Sequence, residues 1–131
     1  MIRALAALGI ILAMAGCQKD ETIAGFTTPD TVWNLELIND TPVEPVFTIQ
    51  FAEDGRTFGQ ADCNRFTSVQ SAPYPWFDLG PIAVTKALCL NNQDEGRYIL
   101  ALDAAETVEI AGDVLLITGP EVALTFRSGS N

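Results

Sequence analysis

The sequence predicts a mainly β (α+β) domain, an antiparallel sheet curled into a small barrel or half-barrel with one helix packed against it. Three observations carry this expectation. About eight short runs alternate apolar and polar residues or lie between turn signals, whereas one stretch alone repeats at helical spacing. Turn pairs recur along the chain, among them Asp54-Gly55, Gly80-Pro81, Gly112-Asp113 and Gly119-Pro120. The 131 residues, less a first apolar segment, make one domain's length of chain. Strands this short and numerous bury their apolar faces by curling the sheet, with the helix over one opening.

The chain opens with Met1-Ile2-Arg3, an apolar run from Ala4 to Ala15, then Gly16-Cys17. One cation, about a dozen apolar residues and a small-residue cleavage site read as a secretory signal over residues 1–16. The run falls short of the roughly 20 apolar residues that cross a bilayer. Met14-Ala15-Gly16-Cys17 resembles a bacterial lipobox, in which Cys17 is acylated, palmitate included, and becomes the first mature residue. An ordinary signal peptide cut nearby is the alternative. Gln18 after the cysteine, in place of Asp, resembles outer-membrane sorting. The expected location is the bacterial cell envelope, lipid-anchored at the outer membrane and facing the periplasm. Residues 17–30 are then a lipidated N-terminus and flexible tether, polar and mixed, with Gly25 and Pro29.

The folded domain is expected over residues 31–127. Trp33, Leu35 and Leu37 alternate with Asn34 and Glu36, the pattern of a half-buried strand. Phe47, Ile49 and Phe51 repeat it up to Glu53-Asp54-Gly55, whose Asp-Gly pair turns the chain back through Arg56–Ala61. Cys63–Val69 reads as a further strand. Pro73 and Pro75 exclude a central strand from residues 70–76, leaving an exposed loop that carries Tyr74 and Trp76. Phe77–Leu79 and Ile82–Thr85 read as short extended pieces around Gly80-Pro81. Asn92 with Glu95 resembles a capping box, and Tyr98, Ile99, Leu102 and Ala105 follow on one helical face. Val108–Ile110, Val114–Ile117 and Val122–Phe126 form a meander, and Ser128–Asn131 reads as a frayed tail.

The chain carries 7 Lys+Arg, 17 Asp+Glu and no histidine. Removing Arg3 with the signal leaves six cations against the same 17 acids, a balance of −11. The acids are scattered, which suits a folded acidic surface. Such a surface repels nucleic acid and anionic headgroups and favours basic partners. Three cysteines would leave one unpaired in a secreted protein. With Cys17 lipidated, Cys63 and Cys89 remain as a disulfide pair in an oxidising compartment. Closing a loop of roughly 27 residues contributes about 3–4 kcal/mol on the chain-entropy account.

Trp33-Asn34-Leu35, Phe58-Gly59, Asp62-Cys63-Asn64-Arg65-Phe66 and Thr85-Lys86-Ala87-Leu88-Cys89 together resemble the META domain family of HslJ-like bacterial lipoproteins. The likeness covers about residues 31–127. It implies a small β-rich domain with a helix, found in envelope stress and resistance contexts, with no established catalytic residues to carry over. The family often has glycine before the first cysteine; here Asp62 stands there. If that position needs a positive φ, Asp is among the better-tolerated replacements.

Chemistry is sparse in the chain. Without histidine there is no Ser-His-Asp or Cys-His arrangement and no His-ligated metal. Glu53-Asp54 sits on a turn and Asp94-Glu95 at a helix start, where a structural role suffices. No spaced Asp-x-Asp-x-Asp calcium loop occurs. No catalytic residue, metal or cofactor is therefore expected, and the protein is read as no enzyme. The candidate recognition residues are Asn64, Arg65, Thr85 and Lys86, which the disulfide would gather into one corner, and the loop aromatics Tyr74 and Trp76. Two other roles stand beside these. Asn64 and Thr85 can satisfy backbone groups near the bridge, and Trp76 can fold back over the core edge. The function expected is a non-catalytic binding module in the envelope, monomeric, held to the membrane by its lipid, with an envelope protein as partner. The alternative is a proteinaceous inhibitor of a basic cell-wall hydrolase of the lysozyme type. A lipid-carrying barrel would need an interior cavity.

Overall fold

Alternation in the sequence becomes alternation in burial along most of the strands. The computed structural model describes residues 19–90 and 93–129. Residues 1–18, with the expected signal, Cys17 and Gln18, lie outside the described residues, as does Asn92 at the expected helix start. The strands are β1 (Trp33–Ile38), β2 (Thr41–Pro42), β3 (Thr48–Phe51), β4 (Arg56–Ala61), β5 (Asn64–Val69) and β6 (Ala83–Val84). Helix α1 (Gln93–Ala104) follows, then β7 (Thr107–Ala111), β8 (Val114–Thr118) and β9 (Ala123–Ser128). All pair antiparallel in one sheet of order β6-β5-β4-β3-β1-β9-β8-β7, with β2 beside β1.

The turns at Asp54-Gly55 and Gly112-Asp113 form where the sequence puts them, whereas Gly80-Pro81 makes no turn. Gly55 takes φ +83 between β3 and β4, and Asp54 Oδ1 accepts from the Arg56 amide at 3.1 Å. Gly112 takes φ +61 in the two-residue hairpin that pairs Ala111 with Val114. Strand β1 departs from strict alternation. A β-bulge between Leu35 and Leu37 advances the face by one residue, so Trp33, Leu35 and Ile38 are buried and Leu37 only half-buried. Phe77–Leu79 forms no strand; it contributes one bridge, Leu79 with Gln70, and buries Phe77.

The sheet does not close on itself, and Tyr98 shows how tightly it curls. The Tyr98 ring lies 5.8 Å from Phe66 of β5 and 6.1 Å from Phe126 of β9, centroid to centroid. Those strands stand four places apart in the sheet order, about 19 Å in a flat sheet. One ring can touch both only if the sheet wraps around it. Phe47 meets the same ring edge-on at 5.4 Å, and the phenol donates to the Thr48 carbonyl at 2.9 Å. Tyr98, Leu102, Leu115, Ile117 and Leu124 are buried side chains of the interior, the space that a carried lipid would need.

Two expectations at the chain ends need correction. Residues 22–26, assigned from sequence to a flexible tether, pack on the domain. Ile23–Phe26 is a 3-10 turn with Ile23 and Ala24 buried, and Thr22 bridges Pro73. The apolar Ile23 supplies the driving force that the mixed composition concealed. At the other end Ser128 closes β9 and the Gly129 amide donates to Val32 at 3.1 Å, so neither is frayed.

Burial pushes the Tyr98 phenol well above its ordinary value. Its folded value exceeds the unfolded one, so this contribution is whole below about pH 10 and lost as pH climbs through the folded value. Tyr98→Phe should lose about 1–2 kcal/mol in urea melts at pH 7, because the Thr48 carbonyl loses its partner. Above pH 10 it should lose less further stability than the native chain; parallel alkaline slopes would contradict this account.

Candidate functional site

Strand β4 runs into β5 through a two-residue hairpin, Asp62-Cys63, with Ala61 opposite Asn64. Asp62 takes φ +58 at the first loop position, where such turns favour glycine. This accounts for the residue expected there from the family pattern. Cys63 is joined to Cys89, 26 residues on, with Cα atoms 5.8 Å apart. The bridge ties the segment after β6 to the β4–β5 turn.

Asn64 sits inside that loop of chain, buried, as a hub. Its amide nitrogen donates to the Ala87 carbonyl at 3.1 Å and to both oxygens of Glu95 at 3.1 and 3.2 Å. Its oxygen accepts from the Thr85 hydroxyl at 2.8 Å and the Ala87 amide at 2.7 Å. Donors meet acceptors on each side, which fixes the orientation of the amide. Thr85 in turn accepts from the Arg65 amide at 3.0 Å. One side chain therefore joins β5, the stapled segment and the first turn of α1.

The expected recognition corner divides in two. Asn64 and Thr85 are brought together, and their polar atoms face each other and the backbone. Arg65 and Lys86 are exposed beside them. Ser68 donates to the Gly80 carbonyl at 2.9 Å. The register of β5 and β6 places Val84 opposite Phe66, so Lys86 lies toward Asn64 and away from Ser68. At the far end of β5 the loop aromatics also divide. Tyr74 is half-buried, stacked on Phe26 at 4.3 Å, and its hydroxyl accepts from the Ile110 amide at 3.2 Å. Trp76 is 59% exposed and does not fold over the core. The loop is organised by a second buried carboxamide, Gln70, which donates to Ala72 and Trp76 carbonyls and accepts from the Ala72 and Asp78 amides.

Sequence reasoning passed over Leu88 and Leu90. Both are fully exposed, 101% and 108%, on either side of the tethered Cys89. The signal was there: neighbours of an inward-tied residue in an extended segment point outward. Leu88 forms a ridge between two open clefts. One, of about 410 Å³, is lined by Glu44, Val46, Asp62, Leu90 and Asp94. The other, of about 470 Å³, is lined by Val84, Thr85, Lys86 and Ile99. Among the described residues no group of three or more His, Cys, Asp and Glu side chains is placed to hold a metal ion.

The fold and this corner define a class of protein, a small β domain with a curled antiparallel sheet, one helix packed against it and a disulfide-stapled corner. The chain belongs to the META domain family, whose profile matches residues 25–130. The match begins ahead of Thr31, consistent with the packing of residues 22–26. Among proteins of curated function, none matches the chain significantly. Solved structures share the fold. An NMR structure of a protein 23% identical covers 76% of this chain and 89% of its own, with TM-score 0.62. An NMR structure of a protein from Burkholderia xenovorans, 17% identical, covers 100% of both chains with TM-score 0.62. The crystal structure of a DUF4847 family protein from Bacteroides vulgatus ATCC 8482, 14% identical, covers 83% and 99% with TM-score 0.60. At these identities the likeness is one of fold.

Asn64→Ala should cost about 3 kcal/mol in urea unfolding, since it strands several buried partners at once. Asn64→Asp keeps the size but sets a second carboxylate against Glu95, and should cost at least as much at pH 7. A loss below about 1 kcal/mol for both would show that the disulfide alone holds the corner.

Proposed function

We propose that this protein is a lipid-anchored, non-catalytic binding module of the bacterial envelope, acting in stress or resistance, and that the stapled corner is its recognition surface. The observation that carries the reading is the full exposure of Leu88 and Leu90 on a backbone held by both Asn64 and the Cys63–Cys89 bridge. Large apolar side chains on an ordered segment cost little further entropy on binding, which is the advantage of preorganisation. They are the anchors that clefts in a partner accept. Glu44, Asp62 and Asp94 on one flank favour a partner segment that sets Lys or Arg beside its apolar residues. The polar groups nearby that could serve chemistry are engaged in structure instead, Asn64 and Thr85 with each other and Ser68 with Gly80. Lipidation at Cys17 and an outer-membrane, periplasm-facing location follow from the lipobox-like Met14–Cys17 and from Gln18.

Affinity capture from solubilised envelope, at low and high salt, tests the reading. The native chain should retain a near-stoichiometric protein partner. The double variant Leu88→Ser/Leu90→Ser should lose it with Tm unchanged, because neither side chain is buried. Equal capture by both proteins would place recognition elsewhere. A captured basic hydrolase, lost at high salt, would convert the reading to that of an inhibitor.

A further inference from the structure

The docking of residues 22–26 shortens the link between Cys17 and the domain. The Tyr74 amide donates to the Glu21 carbonyl at 2.7 Å, and Asp20 Oδ1 accepts from the Thr22 amide at 2.9 Å and hydroxyl at 2.6 Å. Only four residue steps separate Cys17 from Glu21, a reach of at most about 14 Å. Whatever surface Cys17 is attached to, the face around Glu21 and Tyr74 stays within that distance of it.

That face carries aromatic rings. Phe26, 49% exposed, stacks on Tyr74, and Trp76 stands 59% exposed two residues on. The loop is stiff: the Trp76 amide donates to Pro73 at 2.8 Å, the Val108 amide donates to Pro75 at 2.8 Å, and Gln70 holds the Trp76 carbonyl from inside. Beside Phe26 opens a cleft of about 410 Å³ whose apolar lining is Val32, Trp33 and Ile110. Aromatic rings, Trp above all, favour the boundary between headgroups and acyl chains.

We propose that Phe26, Tyr74 and Trp76 form a membrane seat, resting the domain on the headgroup boundary of the bilayer that holds the Cys17 lipid. The inference rests on the proposed lipidation of Cys17. The short link supplies the proximity, and the rings supply the contact. The balance of −11 from Cys17 onward opposes an anionic surface, so the seat suits zwitterionic headgroups. The consequence for recognition is geometric. Gln70 organises the seat just past one end of β5, and Asn64 the stapled corner at the other, about 20 Å away for a six-residue strand. Seating one end on the membrane turns Leu88 and Leu90 toward the aqueous side.

The test uses residues 17–131, which retain every described residue. With Cys63 and Cys89 bridged, Cys17 is the one of three cysteines free to couple to a maleimide-headgroup lipid in phosphatidylcholine vesicles. Trp33 is buried and Trp76 exposed, so a change in iodide quenching reports Trp76, with Trp76→Phe as the background. Coupling should remove iodide quenching of Trp76 and bring quenching by lipids brominated near the headgroup end of the chains. Phe26→Ser should weaken both effects, in protein whose near-UV circular dichroism shows it still folded after the stacking on Tyr74 is lost. Iodide quenching that stays the same after coupling would overturn the seat. The mass of Cys17 peptides from the native host tests the lipoprotein reading separately: an unmodified cysteine sinks that reading, whereas the vesicle result bears on the seat alone.

Discussion

Everything in this fold is arranged around one buried phenol. A nine-stranded antiparallel sheet has no reason of its own to curl beyond its twist, and an open sheet leaves its inner face wet. Tyr98 gives the two arms a common contact, because Phe47, Phe66 and Phe126 approach its ring from strands or strand ends on different sides. A Leu at that position would fill less of the space, and a Phe would leave a carbonyl unanswered. The hydroxyl fixes the depth of the helix, since it must reach the Thr48 carbonyl at the start of β3. Helix position, sheet curvature and the burial of four aromatic rings are thus a single geometric solution.

A second theme is the use of carboxamides as internal brackets. Asn64 begins β5 and Gln70 follows its end, both buried, and each holds a loop that lies outside the strand ladders. Irregular backbone at the edge of a core must find partners, and one amide offers two donors and two acceptors at once. Gln70 lets residues 71–78 leave β5 and reach the edge of β7, where Phe77 donates to Glu106 at 2.9 Å. The loop so closes part of the seam that the strand ladder leaves open. At the other end of β5 the covalent bridge and Asn64 hold the same segment twice over. Charge has a lesser share: Arg127 meets Glu36 and Asp113 at 3.1 and 2.9 Å on the surface, and these contacts raise its already high pKa, Asp113 first.

Much of this was legible in the residues, and the exceptions have physical causes. Turn chemistry at Asp54-Gly55 and Gly112-Asp113 and alternation in β3 and β8 need only neighbours in sequence, so strand order in the meander could be read directly. The bulge in β1 could not, because Glu36, which has no register partner on β9, is met by the side chain of Arg127 from the far end of the chain rather than by anything local. The docking of Ile23 was hidden for the same reason: one apolar residue in a polar stretch is a weak periodic signal, and the loop that receives its segment, at Pro73 and Tyr74, is distant in sequence. At the candidate site, the cysteine pair followed from setting Cys17 aside for the lipid, and the company of Asn64 and Thr85 followed from that pair. That Asn64 would be spent on Glu95 and Ala87, leaving Leu88 and Leu90 outward, depends on where α1 docks. Long-range geometry, not composition, separates the structural polar residues from the presenting apolar ones.

The place of β9 also carries a consequence in time. It is the last of the described strands in chain order, yet it lies between β1 and β8 in the middle of the sheet order. Trp33 finds its partner in Ser128, 95 positions later. Until β9 leaves the ribosome, β1 and β8 each lack a neighbour and Tyr98 lacks Phe126. Such distant pairing makes for slow, all-at-once assembly rather than stepwise growth during translation. A nascent chain of this design remains pliable until β9 has been added.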